Sequence, residues 1–223
     1  MTAKLIEKTN LNENTLERMP LSEKKLLLNS EEIVNYPGPQ TYLVSGTNEF
    51  NISSISNLTM DGMFYQQTSD RPGYKKYRIY GSFNWSGRTL RNYTDGMSIG
   101  YPVTTQFVLP TSNGKVRDFM SNVCGAKTSS GSVTCKDYKT TPVIDRPGIG
   151  VGTTYNMSHM FYKTHGYIAQ SIYTKQSGSA NVLLRYASQK ANIAVSFSFP
   201  NSGLSITPKW SNTTEDYVMT VNY

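Results

Sequence analysis

The chain has 223 residues, a net charge of +7 and 37% hydrophobic residues, and it contains 16 tyrosines and 8 phenylalanines. This length accommodates one large β domain or two small ones. Because Asn, Ser, Thr and Gly dominate the polar residues, the composition argues against a helical bundle, and the recurring aromatic residues argue against general disorder. The apolar runs are too short for a membrane-spanning helix.

The first part of the chain differs from the rest in charge. Residues 1–36 carry a net charge of −1 and hold a single aromatic residue, Tyr36, whereas residues 37–223 carry +8. The sequence Pro37-Gly38-Pro39 follows and marks the best boundary. We therefore predict an N-terminal extension over residues 1–36, which is a pro-segment, an assembly arm or a frayed terminus, and a single β-sandwich domain over residues 37–223.

Two short helical segments are expected within the extension. Asn14 and Glu17 have the spacing of a capping box, and Pro20 ends the helical turn that they open. Ser22 is positioned to cap a second segment that runs through Leu28. Neither segment is strongly amphipathic, so we expect the extension to be partly helical or disordered and poorly packed.

From Thr41 onward, hydrophobic and polar residues alternate with a period of two, as in antiparallel strands with one buried and one solvated face. The clearest runs are residues 77–83, 103–109, 167–173, 191–199 and 217–223. Turn sequences rich in Gly, Pro, Asn and Asp separate them. These patterns predict an all-β fold, an antiparallel β-sandwich or barrel-like sandwich of roughly ten strands.

The Ser- and Thr-rich alternating strands predicted near residues 171–199 resemble the amphipathic hairpins of β-pore-forming toxins. That resemblance implies a membrane-acting, β-structured toxin that oligomerises on membranes. The same alternation is also typical of any strand of a β-sandwich, so the pattern alone leaves both interpretations open.

The only two cysteines, Cys124 and Cys135, lie on either side of a turn that contains Ser129 and Ser130. If those serines form its centre, the cysteines face each other across a two-stranded ribbon, within disulfide distance. We predict a Cys124–Cys135 disulfide and a secreted or extracellular protein, because such bridges persist in oxidising compartments. Since no signal peptide follows Met1, we expect a mature form with an added Met1. A cytosolic protein with free thiols is the alternative.

One predicted strand places basic and aromatic side chains next to each other. On it, Lys76, Arg78 and Tyr80 share the face opposite Tyr77 and Ile79. A row of cations with aromatic rings can hold an anionic polymer or stack against sugar or base rings. The predicted ligand-binding residues of this basic aromatic face are Lys75, Lys76, Arg78, Tyr80, Trp85 and Arg88. The alternative is a solvated strand face whose charges prevent edge aggregation.

The sequence contains little evidence of enzymatic activity. No catalytic, phosphate-binding or dinucleotide-binding motif is present. His159 and His165, the only histidines, would lie about 20 Å apart on one strand at ~3.3 Å per residue, too far to share a metal ion. The carboxylates after residue 36 show no pairing suited to glycosidase chemistry. We expect no metal site, no cofactor and no enzymatic activity, with a hydrolase whose residues converge only in space as the alternative.

These observations favour a secreted or surface-associated, non-enzymatic β-sandwich protein that binds an anionic polymer, a glycan or a membrane surface. The basic charge of residues 37–223 carries this prediction. Nucleic acid is the least favoured partner because no nucleic-acid-binding motif accompanies the charge. The alternatives are a membrane-acting β-structured toxin and a capsid or appendage subunit, either of which would form oligomers.

Overall fold

The computed structural model describes residues 1–9, 13–35, 55, 57–87, 94–157, 160, 162–188 and 213–223. Most of these residues lie in antiparallel strands that form two large sheets, accompanied by three short helices. The prediction of an all-β, sandwich-like fold with a short helical N-terminal extension is therefore confirmed. The proposed boundary at residues 36 and 37 stays a prediction.

Sheet I contains, in spatial order, β1 (Glu32–Asn35), β2 (Leu58–Gln67), β3 (Lys75–Trp85), β11 (Tyr162–Thr174), β7 (Phe119–Ala126) and β8 (Thr134–Lys139). Sheet II contains β13 (Thr213–Asn222), β12 (Ser179–Ser188), β4 (Thr94–Gly100), β10 (Gly150–Asn156) and β9 (Ile144–Arg146). A small ribbon pairs β5 (Thr111–Ser112) with β6 (Lys115–Val116). The chain therefore crosses repeatedly between the two large sheets.

The two large sheets pack face to face around one core built from alternating strand residues. In β3, Tyr77, Ile79 and Phe83 point into this core and are buried. Across the interface, the Phe83 ring lies 5.2 Å from the ring of Tyr155 and 4.6 Å from that of Tyr186, measured between centroids. Aromatic residues thus supply the large apolar area that the low hydrophobic content of the chain otherwise lacks.

Not every alternating run forms a strand. The runs at 77–83 and 167–173 are confirmed within β3 and β11, and the run at 217–223 is confirmed in β13 up to Asn222. The run at 191–199 lies outside the described residues. The strand predicted over residues 103–109 is wrong. Pro102 precedes a 3-10 turn at Val103–Thr105, and Gln106 then takes a left-handed conformation with φ of 51°. Thr105, Phe107 and Leu109 are nevertheless buried, which accounts for most of the alternation without a strand.

The extension is not poorly packed, contrary to the prediction. Helices α1 (Thr2–Thr9), α2 (Glu13–Arg18) and α3 (Leu21–Leu28) cover the outer face of sheet I, and β1 joins its edge. Leu5, Leu16 and Leu27 have no exposed surface, and they pack on aromatic residues such as Tyr65 and Tyr80. Burial of each leucine contributes about 1.5–3 kcal/mol to the free energy that favours folding. The helical segments predicted around Asn14–Pro20 and Ser22–Leu28 agree with α2 and α3, but the predicted caps are wrong: Asn14 lies inside α2, and Pro20 rather than Ser22 is the N-cap of α3.

A close approach between the sheets explains two glycines of sheet I. Gly62 of β2 and Gly81 of β3 are directly paired. A Cβ atom at either position would lie 2.7 Å from a methyl carbon of Leu184, which projects from β12 of sheet II. The absence of two side chains therefore makes the space that Leu184 occupies.

The predicted disulfide joins Cys124 of β7 to Cys135 of β8. The two residues are directly paired in the register of the ribbon, and their Cα atoms are 3.9 Å apart. The bridge thus fixes the pairing of the hairpin that forms one edge of sheet I.

We expect loss of this bridge to lower the free energy of unfolding by at most about 3 kcal/mol, because the loop that it closes is short. The measurement is urea unfolding of the oxidised protein beside the Cys124→Ser/Cys135→Ser variant, both without reductant. A much larger loss, or free thiols in the oxidised protein, would contradict the assignment.

Candidate functional site

The structure divides the predicted basic aromatic face into exposed and buried residues. Lys75 is exposed, Lys76 and Trp85 are half-buried, and Arg88 lies outside the described residues. Arg78 and Tyr80 are only 1% and 2% exposed, because the helices cover them. The expectation that these two side chains lie on a solvated face is wrong, while ligand binding by the remaining residues stays a prediction.

Arg78 is instead the centre of a buried polar cluster. Its guanidinium forms an ion pair with Glu23 of α3, and Nε donates a hydrogen bond to Oε2 of that carboxylate at 3.2 Å. Its Nη1 also donates to the Ser171 hydroxyl at 3.2 Å and to the main-chain carbonyl of Asp118. Burial, reinforced by the charge of Glu23, raises the pKa of Tyr65 well above its usual value, so its hydroxyl stays a neutral donor to the carboxylate.

The exposed cations of this region gather at the turn before β3 rather than along the strand. The guanidinium of Arg71 lies 3.8 Å from the ring centroid of Tyr74, and Lys175 Nζ lies 4.8 Å from the same ring. Lys76 is engaged by two carboxylates, Asp118 at 3.0 Å and Asp70 at 3.2 Å. Arg71, Lys75 and Lys175 are exposed cations at this end of the sandwich that form no ion pair with a carboxylate among the described residues.

A groove opens at the other end of β3, where α2 crosses sheet I. This cavity, the Trp85 groove, has a volume of about 580 Å³. Its side walls combine cationic, aromatic and amide side chains from three elements, namely Arg18, Asn84, Trp85, Tyr162, Lys163 and His165. Ser129 and Val133 of the β7–β8 hairpin close one end. Trp85 is the only residue of the predicted ligand-binding set that contributes to it among the described residues.

The imidazole of His165 is held in one orientation in this groove. Its Nδ1 lies 3.1 Å from the main-chain carbonyl of Lys163, which can only accept, so a neutral ring donates from Nδ1 and leaves Nε2 as an acceptor. Burial lowers the pKa of His165, and the charge of Arg18 lowers it further, although the carbonyl contact opposes this shift. The ring is therefore neutral near pH 7.

A β-bulge positions Lys163 at the groove. The pairing of β11 with β7 shifts between Tyr162 and His165, and Lys163 adopts a left-handed conformation with φ of 52°. Residues other than glycine rarely adopt this conformation. Bulges of this kind redirect side chains near binding sites, and this one leaves Lys163 exposed beside the groove.

A second, smaller cavity of about 260 Å³ adjoins the groove under α2. Arg18, Asn84 and His165 line both cavities. The carboxylate of Asp61 lies in the smaller one, where its Oδ2 accepts a hydrogen bond from the Thr15 hydroxyl at 2.6 Å. The carboxylate of the adjoining cavity is thus hydrogen-bonded within the fold. Across the described chain, no group of three or more His, Cys, Asp or Glu residues could hold a metal ion.

The same end of the sandwich carries the ends of β12 and β13. These strands pair without interruption from Ser179↔Asn222 to Ser188↔Thr213. Trp85 Nε1 donates a hydrogen bond to the hydroxyl of Tyr186 at 3.2 Å, which places the groove beside the last residues of β12. Ser188 and Thr213, the described residues on either side of 189–212, are therefore directly paired.

Sequence reasoning did not find most of the groove. Arg18 and Lys163 lie far apart in the chain and in unremarkable contexts, and they meet only because α2 packs across β3 and β11. Lys163 carried no signal because a bulge cannot be read from alternation alone. His159, the other histidine, lies outside the described residues. No helix in the described part of the chain is long and apolar enough to cross a bilayer.

No protein family and no curated protein matches the chain. Among solved structures, a "pore forming protein" is similar with a TM-score of 0.41 and 7% identity, over 76% of this chain and 89% of that one. Clostridium perfringens delta-toxin is similar with a TM-score of 0.39 and 8% identity, over 77% of this chain and 87% of that one. AvmM, which catalyses macrocyclization in alchivemycin A biosynthesis, is similar with a TM-score of 0.32 and 11% identity, over 75% of this chain and 89% of that one. TM-scores below 0.5 do not establish a common fold, so no property of these proteins is assigned to the chain.

Proposed function

We propose that the protein is exported, non-enzymatic and membrane-acting, and that residues 189–212 insert into the bilayer as an amphipathic β-hairpin. The observation that carries the proposal is the pairing of β12 with β13 up to Ser188↔Thr213. Because the segment between them begins and ends at neighbouring positions, it has the connectivity of a hairpin that continues the two strands.

The sequence of this segment has the alternation that such a hairpin needs. Its apolar positions are Ala191, Ile193, Val195, Phe197 and Phe199, followed after the turn by Leu204 and Ile206. The intervening positions are mostly Ser, Thr and Asn. Continuing the Ser188↔Thr213 register pairs Phe197 with Leu204 and Val195 with Ile206, and it puts the turn at Pro200 and Asn201, at the start of the turn sequence that runs through Gly203. In a transmembrane hairpin the apolar face contacts lipid and the polar face lines a water-filled lumen.

The length of the segment also suits a bilayer. A tilted transmembrane strand needs about 9–11 residues. In that register the segment offers residues 189–199 before the turn and 202–212 after it. A single hairpin would leave unpaired backbone groups in lipid, so hairpins from several copies have to pair edge to edge. The proposal therefore includes oligomerisation on the membrane.

Export and surface attachment complete the proposal. The Cys124–Cys135 disulfide supports an oxidising compartment. The exposed cations Arg71, Lys75 and Lys175 support attraction to anionic surfaces, which would weaken as salt screens the charge.

The test is release of calcein from vesicles of phosphatidylcholine, with and without phosphatidylserine. We expect the oxidised protein to release calcein while large dextrans stay inside, because hairpins form a pore of limited diameter. Chemical cross-linking on the same vesicles should show oligomers. Absence of release at every composition, or equal release of calcein and large dextran, would contradict pore formation.

A further inference from the structure

We propose that the Trp85 groove is a binding site for an acidic saccharide, with Arg18 and Lys163 holding its anionic group. This inference deepens the proposed function, on which it rests only for the idea that this end of the molecule meets a membrane. Binding itself is a property of the groove and is measured without any membrane.

The positive charge of the groove favours an anionic ligand. Arg18 and Lys163 are both exposed, and within the described residues neither forms an ion pair with a carboxylate. None of the described residues that line the groove is acidic. Asp61, in the adjoining cavity, already accepts hydrogen bonds from Thr15 and from the main-chain nitrogen of Gly62. Two cations at one cavity without a local counter-charge favour a carboxylate or sulfate group.

The aromatic residues of the groove favour a ring-shaped ligand with an apolar face. Trp85 is half-buried, and its indole nitrogen already donates to Tyr186, so the indole orientation is fixed and its exposed part can only make ring contacts. Tyr162, also half-buried, lies across the same cavity. The negative face of an aromatic ring attracts the weakly positive C–H groups of a pyranose.

The remaining polar groups suit hydroxyl groups, which both donate and accept. The Asn84 side chain lines the groove and carries both an amide donor and a carbonyl acceptor. Nε2 of the neutral His165 adds an acceptor, because Nδ1 is engaged by the Lys163 carbonyl. A phosphate ion alone would leave both this acceptor and the aromatic walls unused, so the set of groups fits a saccharide better than a bare anion.

The size and place of the groove are consistent with this ligand. Its volume of about 580 Å³ lies within the range of small-molecule sites. It adjoins Tyr186, two residues before the point where residues 189–212 leave β12. A saccharide bound there would hold the inserting end of the molecule at a glycan-covered surface.

The experiment is calorimetric titration of the oxidised protein with 3′-sialyllactose, a trisaccharide with one carboxylate, and with lactose as its neutral counterpart. We expect 3′-sialyllactose to bind at least ~tenfold more tightly than lactose, because only its carboxylate can form charged hydrogen bonds with Arg18 and Lys163. Arg18→Gln and Lys163→Gln should each weaken binding by about tenfold and leave the thermal unfolding midpoint unchanged, because both side chains are exposed. Lys115→Gln, at an exposed lysine remote from the groove, is the matched control.

Three results would overturn the proposal. The first is equal or undetectable binding of the two saccharides, and the second is an equal loss of affinity in Lys115→Gln. The third is binding of phosphatidylserine vesicles that depends on Arg18 and Lys163 without any saccharide binding, which would assign the groove to a lipid headgroup. Vesicle leakage does not enter these readouts. Leakage without saccharide binding would therefore reject the groove alone, and saccharide binding without leakage would reject the pore alone.

Discussion

Replacing Arg78 with Met is expected to lower the free energy of unfolding by about 3–5 kcal/mol, because the Glu23 carboxylate would stay buried without its cation. Both side chains of this pair are at most 2% exposed. Glu23 would keep only the Tyr65 hydroxyl, at 3.3 Å, among the partners described above. Urea unfolding followed by tryptophan fluorescence measures the change.

Two further variants make this result specific. Glu23→Leu combined with Arg78→Met should regain much of the lost stability, since a buried ion pair replaced by apolar groups of similar volume is often neutral. Arg71→Gln removes an exposed cation and should change stability by less than about 1 kcal/mol. If Arg78→Met unfolds like Arg71→Gln, the helices do not cover sheet I in solution.

The second large effect is expected in the segment proposed to insert. Val195→Lys should reduce the rate of calcein release about 30-fold or more, because a lysine on the lipid face costs roughly 2–4 kcal/mol at the bilayer midplane. Ser196→Lys places the same charge one residue away, on the face predicted to line the lumen, and should leave release nearly intact. The measurement is release at equal protein concentration, with circular dichroism showing that both variants are folded.

Equal effects of the two lysines would contradict the proposed alternation of faces. Both positions are taken from the sequence pattern, since residues 189–212 lie outside the described part of the structure. The comparison is therefore a direct test of whether this pattern reports lipid and water contact.

Local alternation predicted the two faces of β3 correctly. Tyr77 and Ile79 do point into the core between the sheets, and Arg78 and Tyr80 do share the opposite face. What alternation cannot show is whether another layer covers that second face. Arginine and tyrosine at alternating positions are compatible with solvent or with a buried ion pair, and only the position of Glu23 decides between them.

A signal for the covered face existed, but it was spread over three strands. Met63 of β2, Tyr80 of β3 and Tyr167 and Ala169 of β11 form one apolar patch beneath the helices. Recognising it requires knowing that β3, which forms a hairpin with β2, also pairs with β11, a strand remote in the chain. The Cys124–Cys135 bridge was predictable because its two residues lie on one hairpin, whereas the groove depends on packing between distant segments.

The contact between Leu184 and the paired glycines Gly62 and Gly81 fixes the position of β12 against sheet I. Because methyl carbons of Leu184 occupy the space that two side chains would otherwise fill, a shift of β12 along its axis would remove Leu184 from the only gap these two glycines leave for it. In the proposed mechanism, the rearrangement would therefore be confined to the segment after Ser188, where β12 ends.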